Sequence, residues 1–362
     1  MAFHGFLRGR DFDIFYMNNI SGAWSVPYNL TWNGILDSCA TIVVDHQDNI
    51  HVAYARFDPF DMEIFYVNKT ASGWSTPENI SKNDNEDTLP AIEVDSQGYV
   101  HIVWRSDHRI LYTNNVGGSW SLPLNLSQSG SSSDYPSLAL DSKDNVHIVW
   151  EGRDDSPFQD KEIFYADDIE GEWLTENVTK NDLYDIKPCV ALDKEDNVHM
   201  SYIQFDVDSY EFDVFYVGRI NGSWGGPVKI SSSQEITYSA SIAADGAGNI
   251  HVVYCQLDAF DLENEIYYTS NRLGSWQEPS NITRNSQNDN RPNIVINEWN
   301  YVHIVYYVSG FNNILYIRST EPVVQFASQG FPIVLTVTAA ALVVAVAAVA
   351  IWLLRRREVL FP

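Results

Sequence analysis

Apolar and polar positions alternate in short runs along most of this chain, and no run at helical spacing occurs before residue 331. The stretch from Pro136 to Thr179 shows the unit. Ser137 to Leu140 alternates with period two, Asp141 to Asn145 is a polar turn, and Val146 to Trp150 is rich in β-branched and aromatic residues, so the pair reads as a hairpin. A polar excursion from Glu151 to Lys161 leads into a third strand, Glu162 to Tyr165. A turn through Gly171 and a short fourth strand around Trp173, ending near Thr179, complete the unit.

The unit recurs. An apolar-(Phe/Tyr/Leu)-Tyr signature ends at Tyr16, Tyr66, Tyr112, Tyr165, Tyr216, Tyr268 and Tyr316, with histidines in step at His4, His51, His101, His147, His199, His251 and His303. The period of 46 to 52 residues is that of a four-stranded propeller blade. The expected fold is therefore all-β, a propeller of about seven four-stranded blades, with six as the alternative. His4 to Asp11 aligns with His147 to Asp154, so the first copy opens in its second strand and the chain is expected to be N-terminally incomplete. The last copy lacks an obvious fourth strand, which Val323 to Ala327 is expected to supply.

Phe331 to Leu354 is an uncharged Ala/Val/Leu/Ile run, long enough to cross a ~30 Å hydrocarbon core as a helix. Arg355, Arg356 and Arg357 follow at once, and the positive-inside rule places that tail in the cytoplasm. The expected organisation is a propeller over 1–320, a linker or last outer strand over 321–330, a transmembrane helix over 331–354 and a cytoplasmic tail over 355–362. The propeller then faces the cell exterior, at the plasma membrane. Met1 to Arg10 contains no apolar run that would serve as an export signal; the rival topology is a tail anchor with a cytoplasmic propeller.

Formal charge is -26, from 22 basic and 48 acidic residues. Such a surface repels nucleic acid and anionic lipid, which leaves cations, basic proteins and neutral glycans as ligands. The three cysteines, Cys39, Cys189 and Cys255, fall in or beside strands of different blades and read as buried small hydrophobes rather than a disulfide framework.

Between third and fourth strands the chain reads Gly22-Ala-Trp24, Ser72-Gly-Trp74, Gly118-Ser-Trp120, Gly171-Glu-Trp173, Gly222-Ser-Trp224 and Gly274-Ser-Trp276. This resembles a degenerate Asp-box, the Ser-x-Asp-x-Gly-x-Thr-Trp turn of sialidase-like (BNR repeat) propellers, over residues 1–318. The Ser and Asp of the box are mostly replaced, with an Asx kept only at Asn18-Asn19, Asn114-Asn115 and Asp167-Asp168. The resemblance implies a propeller. It also directs attention to arginines, because sialidases clamp a substrate carboxylate with three of them and use a Tyr nucleophile activated by Glu, with an Asp acid/base. Here a basic residue follows the second strand at Arg8, Arg56, Arg105 and Arg153, and these are the candidate ligand-binding residues. The Arg-Ile-Pro signature of the first sialidase arginine is absent.

Other polar series are judged by whether they merely repeat. The histidines occupy one equivalent position a blade apart, so they read as structural, and the Asp six residues earlier (Asp45, Asp95, Asp141, Asp193, Asp245) reads as a turn former. Asn29, Asn79, Asn125, Asn177 and Asn281 head Asn-x-Ser/Thr triplets in one repeat slot, where glycan acceptance and turn formation explain the series equally well. The loops carrying Asp58, Asp61 and Glu63, and Asp258, Asp261 and Glu263, offer the oxygens a hard cation such as calcium takes, without a diagnostic calcium spacing. The function expected is a cell-surface, single-pass module that recognises a glycan or protein. The alternative is a membrane-tethered sialidase-type glycoside hydrolase.

Overall fold

A computed structural model describes residues 2–7, 11–20, 22–127, 132–154, 160–232, 236–258, 262–309, 313–323 and 333–336. Antiparallel sheets follow one another along the chain, and helical structure among these residues is confined to a 3-10 turn, Ile169–Gly171, and to Val323. The fourth sheet is representative: Asp134–Leu140 is innermost, then Val146–Arg153, Lys161–Asp167 and, outermost, Leu174–Asn177. Innermost strands of successive sheets pack against each other, which arranges the sheets around an axis as blades.

Six blades have four or more strands, and the N-terminal sheet has three, Ala2–Leu7, Asp11–Tyr16 and Tyr28–Asn29. The expectation of about seven four-stranded blades is corrected to six complete blades and this partial sheet. Ala2–Leu7 takes the second-strand place, with His4 opposite Ile14, and no described residue lies inside it. The ring closes where the last complete blade meets the partial sheet: Val305, Ile314 and Tyr316 pack with Phe15, Met17 and Trp24.

The C-terminal expectation also changes. The outer strand of the last blade is Ile333–Thr336, pairing Tyr316 with Thr336, rather than Val323 to Ala327. Val323 instead is buried and donates its N–H to the carbonyl of Asn300 at 2.8 Å. Residues 333–336 of the expected 331–354 helix are thus a strand, and residues 331–332 and 337–362 lie outside the described residues. No described helix is long and apolar enough to cross a membrane.

The Trp turns serve the seams between blades. Each Trp is half-buried and packs against the signature Tyr of the preceding blade, edge-on for Trp74 on Tyr16, Trp120 on Tyr66, Trp173 on Tyr112 and Trp224 on Tyr165, and tilted for Trp276 on Tyr216. Trp24 does the same on Tyr316 across the closure, so the pattern runs through the seam that no chain connection bridges. Edge-to-face geometry at centroid distances of 4.9–5.5 Å is favourable for aromatic quadrupoles.

Candidate functional site

The most conspicuous polar residues are framework. In each complete blade the histidine Nδ1 lies 2.6–2.8 Å from the signature Tyr hydroxyl. In five of these blades Nε2 faces the turn aspartate, at 3.0 Å for His199 and Asp193 and 3.2 Å for His251 and Asp245, while the last blade has Asn297 in the aspartate's place. The aspartate Oδ1 accepts the N–H groups two and four residues on, as with Gln47 and Asn49 on Asp45. Burial favours neutral imidazole and lowers the pKa of His51, His101, His147, His199 and His251, against the opposing pull of the aspartates. Burial alone would raise Asp245, but hydrogen bonds from His251 and Asn249 hold it down at about 2.

The Asn-x-Ser/Thr slot is also a staple. The Asn Oδ1 accepts the N–H of the Ser or Thr two residues on in Asn29, Asn125, Asn177 and Asn281, and Asn79 accepts that of Lys82. The hydroxyl in turn accepts a third-strand N–H: Thr31 from Ile14, Ser81 from Ile64, Ser127 from Ile110, Thr179 from Ile163 and Thr283 from Ile266. The hydroxyls of Ser81, Thr179 and Thr283 also donate to buried Glu63, Glu162 and Glu265. Turn formation therefore accounts for the recurrence of the triplet.

The inner strands hold a position whose backbone recurs while its side chain changes from blade to blade. Five inner strands carry a bulge in which two residues oppose one of the second strand. The single opposing residue is a fully buried aromatic, Tyr54, Trp104, Trp150, Tyr202 or Tyr306. The first bulge residue is non-glycine at positive φ in each: Cys39 at 52°, Leu89 at 54°, Tyr135 at 50°, Lys187 at 51° and Arg291 at 51°. Such strain concentrates where a side chain must be aimed. In the remaining complete blade the register shift falls at Tyr238.

Around the ring, four consecutive blades therefore present Tyr135, Lys187, Tyr238 and Arg291. They converge. The Lys187 ammonium donates to the Tyr238 carbonyl oxygen at 3.1 Å and sits 5.8 Å from the Tyr135 ring centroid. Burial lowers the Lys187 pKa; Glu151 opposes this and the positive charge of Arg291 adds to it. Tyr135 and Tyr238 are 39% and 40% exposed, enough for a ligand to reach their rings. The nearby carboxylates are already engaged: Glu151 pairs with Lys161 and accepts the Lys187 N–H at 2.7 Å, and Asp134 faces Arg105 at 3.9 Å. Alternating aromatic and cationic groups at the mouth of so acidic a protein can hold an anionic or hydroxyl-rich ring. The sequence signal for three of them was the residue before proline in the inner strand, Tyr135-Pro136, Lys187-Pro188 and Arg291-Pro292, as also at Leu89-Pro90, whereas Tyr238 is followed by Ser239.

The residues singled out from sequence fall elsewhere. Arg56 is tied to buried Asp37, with Nε 2.7 Å from Oδ1, and lies over the Phe65 ring at 4.6 Å. Arg105 faces Glu86 at 3.6 Å and Asp134. Arg153 is exposed at the end of its strand, and Arg8 lies outside the described residues. The first two are thus held by carboxylates of their surroundings rather than left open as a clamp. Of the calcium candidates, Asp58 and Asp61 face each other at a hairpin end. Glu63 does not belong to that loop surface: it is buried and accepts from the Ser81 hydroxyl and the Asn83 N–H. Asp258 accepts the Leu262 N–H through its carbonyl and donates its own N–H to the Glu263 carbonyl, while Asp261 lies outside the described residues. The carboxylates brought together among the described residues are a different set, Asp154, Asp160 and Glu162, with one oxygen from each within 4.8 Å of the others. Both Glu162 oxygens already accept protein hydrogen bonds, from Thr179 and from the Asn181 N–H.

No family model matches the sequence, and no curated protein matches it. Solved structures do match. An ulvan lyase, described as a new family of polysaccharide lyase and bound to GlcA(1-4)Rha3S units, superposes with a TM-score of 0.60 at 12% identity, covering 93% of this chain and 89% of that one. A GH93 α-L-arabinofuranosidase of Fusarium graminearum, in complex with arabinobiose, gives 0.52 at 13% identity over 75% of this chain and 88% of that one. The intramolecular trans-sialidase from Ruminococcus gnavus gives 0.51 at 7% identity over 75% and 89%. At these identities the likeness is one of fold: the chain is a β-propeller of the shape also used by sialidases, polysaccharide lyases and other glycan-active enzymes.

Proposed function

We propose that this protein is a cell-surface recognition module, a propeller on a single-pass anchor that binds glycans at the axial mouth. The observation that carries the reading is the change of side chain from blade to blade at Tyr135, Lys187, Tyr238 and Arg291, positions at inner-strand register shifts, three of them with left-handed backbone, while the seams stay regular. Tyrosine rings stack on the apolar faces of sugars, and Lys and Arg donate to their oxygens. A glycan array probed with the full chain in detergent tests it, with discrete glycan classes bound as the expected result and a blank array as the result that ends the reading. A fluorogenic sialoside run in parallel tests the hydrolase alternative, favoured by the shared fold alone; no turnover is expected, because Arg56 and Arg105 are committed to carboxylates.

The anchor is part of the same proposal and rests on the 331–354 run and the arginines behind it. Protease added to intact cells should digest the propeller and spare a tag placed after Pro362. A propeller that survives until the cells are permeabilised would put it on the cytoplasmic side.

A further inference from the structure

We propose that the axial half-ring of Tyr135, Lys187, Tyr238 and Arg291 is a subsite for an anionic sugar residue, one bearing a carboxylate or a sulfate ester. The inference rests on the glycan-recognition reading and names the class of glycan. Its ground is a mismatch of charge. In a protein of 48 acidic and 22 basic residues, Arg56, Lys161, Arg219 and Lys229 are each paired with a carboxylate. The Lys187 ammonium instead bonds a carbonyl oxygen, and the Arg291 side chain is exposed with no ion pair among the described residues. Lys187 and Arg291 stand at equivalent bulge positions two blades apart, on either side of the blade that carries Tyr238. The charge of Arg291 acts on Lys187 and on Tyr135 beside the larger effects of Glu151 and Asp134, which Lys161 and Arg105 face. Mutual repulsion of Lys187 and Arg291 is relieved when an oxyanion lies between them.

The site is also one-sided. The inner bulges of the next two complete blades around the ring carry Cys39 and Leu89 in place of polar groups. A sugar with its oxyanion toward Lys187 and Arg291 then turns its less polar edge to that side and lays a ring face on Tyr135 or Tyr238. Long-range attraction cannot substitute for this geometry, since the whole surface repels anions.

The test uses the full chain in detergent and calorimetry with three probes: a tetragalacturonate, its fully methyl-esterified form, and a sulfated galactan tetrasaccharide. Binding of the uronate, with affinity about tenfold weaker for the ester, is expected. Binding of the sulfated probe instead of the uronate also supports an oxyanion site and identifies sulfate as its ligand. Arg291→Gln and Lys187→Met should each weaken the charged probe about tenfold, whereas Lys194→Gln, an exposed lysine facing Glu195, should change nothing. Arg291 is exposed, so its variant keeps the test open if Lys187→Met fails to fold. Equal affinity for ester and acid, unchanged binding by Arg291→Gln, or failure of both charged probes overturns the proposal. In each case neutral glycans bound on the array leave the recognition reading standing, and a blank array removes both.

Discussion

Trp24→Ala should destabilise the propeller by about 2–4 kcal/mol, as much as or more than Trp120→Ala at an internal seam. Both residues are half-buried and edge-on to a signature tyrosine, 5.5 Å between centroids for Trp24 and Tyr316 and 5.2 Å for Trp120 and Tyr66. Their surroundings differ in one respect. The blades joined by Trp120 are also consecutive in the chain, so they stay neighbours when the ring is lost. Trp24 joins the two ends of the ring, and with Phe15, Met17, Val305 and Ile314 it forms the apolar seal of the closure. Opening that seam exposes two blade faces at once. Thermal melts with limited proteolysis decide the matter: early cleavage within residues 2–29 and a lower Tm are expected for Trp24→Ala. A Tm equal to the parent's would mean that the closure is held by something other than this pair.

The second large effect concerns buried carboxyls on the seams. Burial pushes Glu162 and Asp289 up to about 7 and Asp185 to about 6, with hydrogen bonds from Thr179, Asn285 and Gln204 only partly offsetting it. A carboxyl whose folded pKa lies above its unfolded value stabilises the fold when protonated. That contribution is complete at low pH and is lost as pH rises through the folded value, here near 7 for Glu162 and Asp289. The histidines act in the other direction, since their lowered values cost stability as pH falls below 6.5. Comparing the parent with Asp289→Asn cancels the histidines. Between pH 6 and pH 8 the parent should lose about 1 kcal/mol more than the variant, read as a Tm difference of about 2–4 °C. Parallel pH profiles would show that Asp289 is ionised throughout.

Much of the fold was legible because a blade is local. The hairpins around the Asp141 and Asp245 turns, the third strands ending in Tyr, and the Gly-Trp turns each follow from alternation and turn chemistry within a few dozen residues. The final outer strand was misplaced because Ile333–Thr336 belongs to an apolar run whose composition suits a strand and a membrane helix alike. The burial of Glu63 and the pairing of Arg56 escaped the sequence for a different reason. Their partners, Ser81 for Glu63 and Asp37 for Arg56, lie 18 and 19 residues away and are set only once the blade is assembled. The axial residues were missed because a bulge reverses the inward and outward alternation on which a strand is read, and only the prolines that follow betray it.

Those bulges separate two kinds of inheritance. Leu89, Tyr135, Lys187, Tyr238 and Arg291 belong to none of the apolar clusters that bind blade to blade. Their side chains can therefore be exchanged without opening the apolar packing of a seam, provided the newcomer at Leu89, Tyr135, Lys187 or Arg291 tolerates the left-handed backbone. A lineage of such proteins is free to drift at five codons and meet new ligands while its architecture stays constant. The same five positions are where a designer would diversify a library on this scaffold, beginning with Leu89, where a cation or an aromatic would carry the polar arc one blade further around the ring.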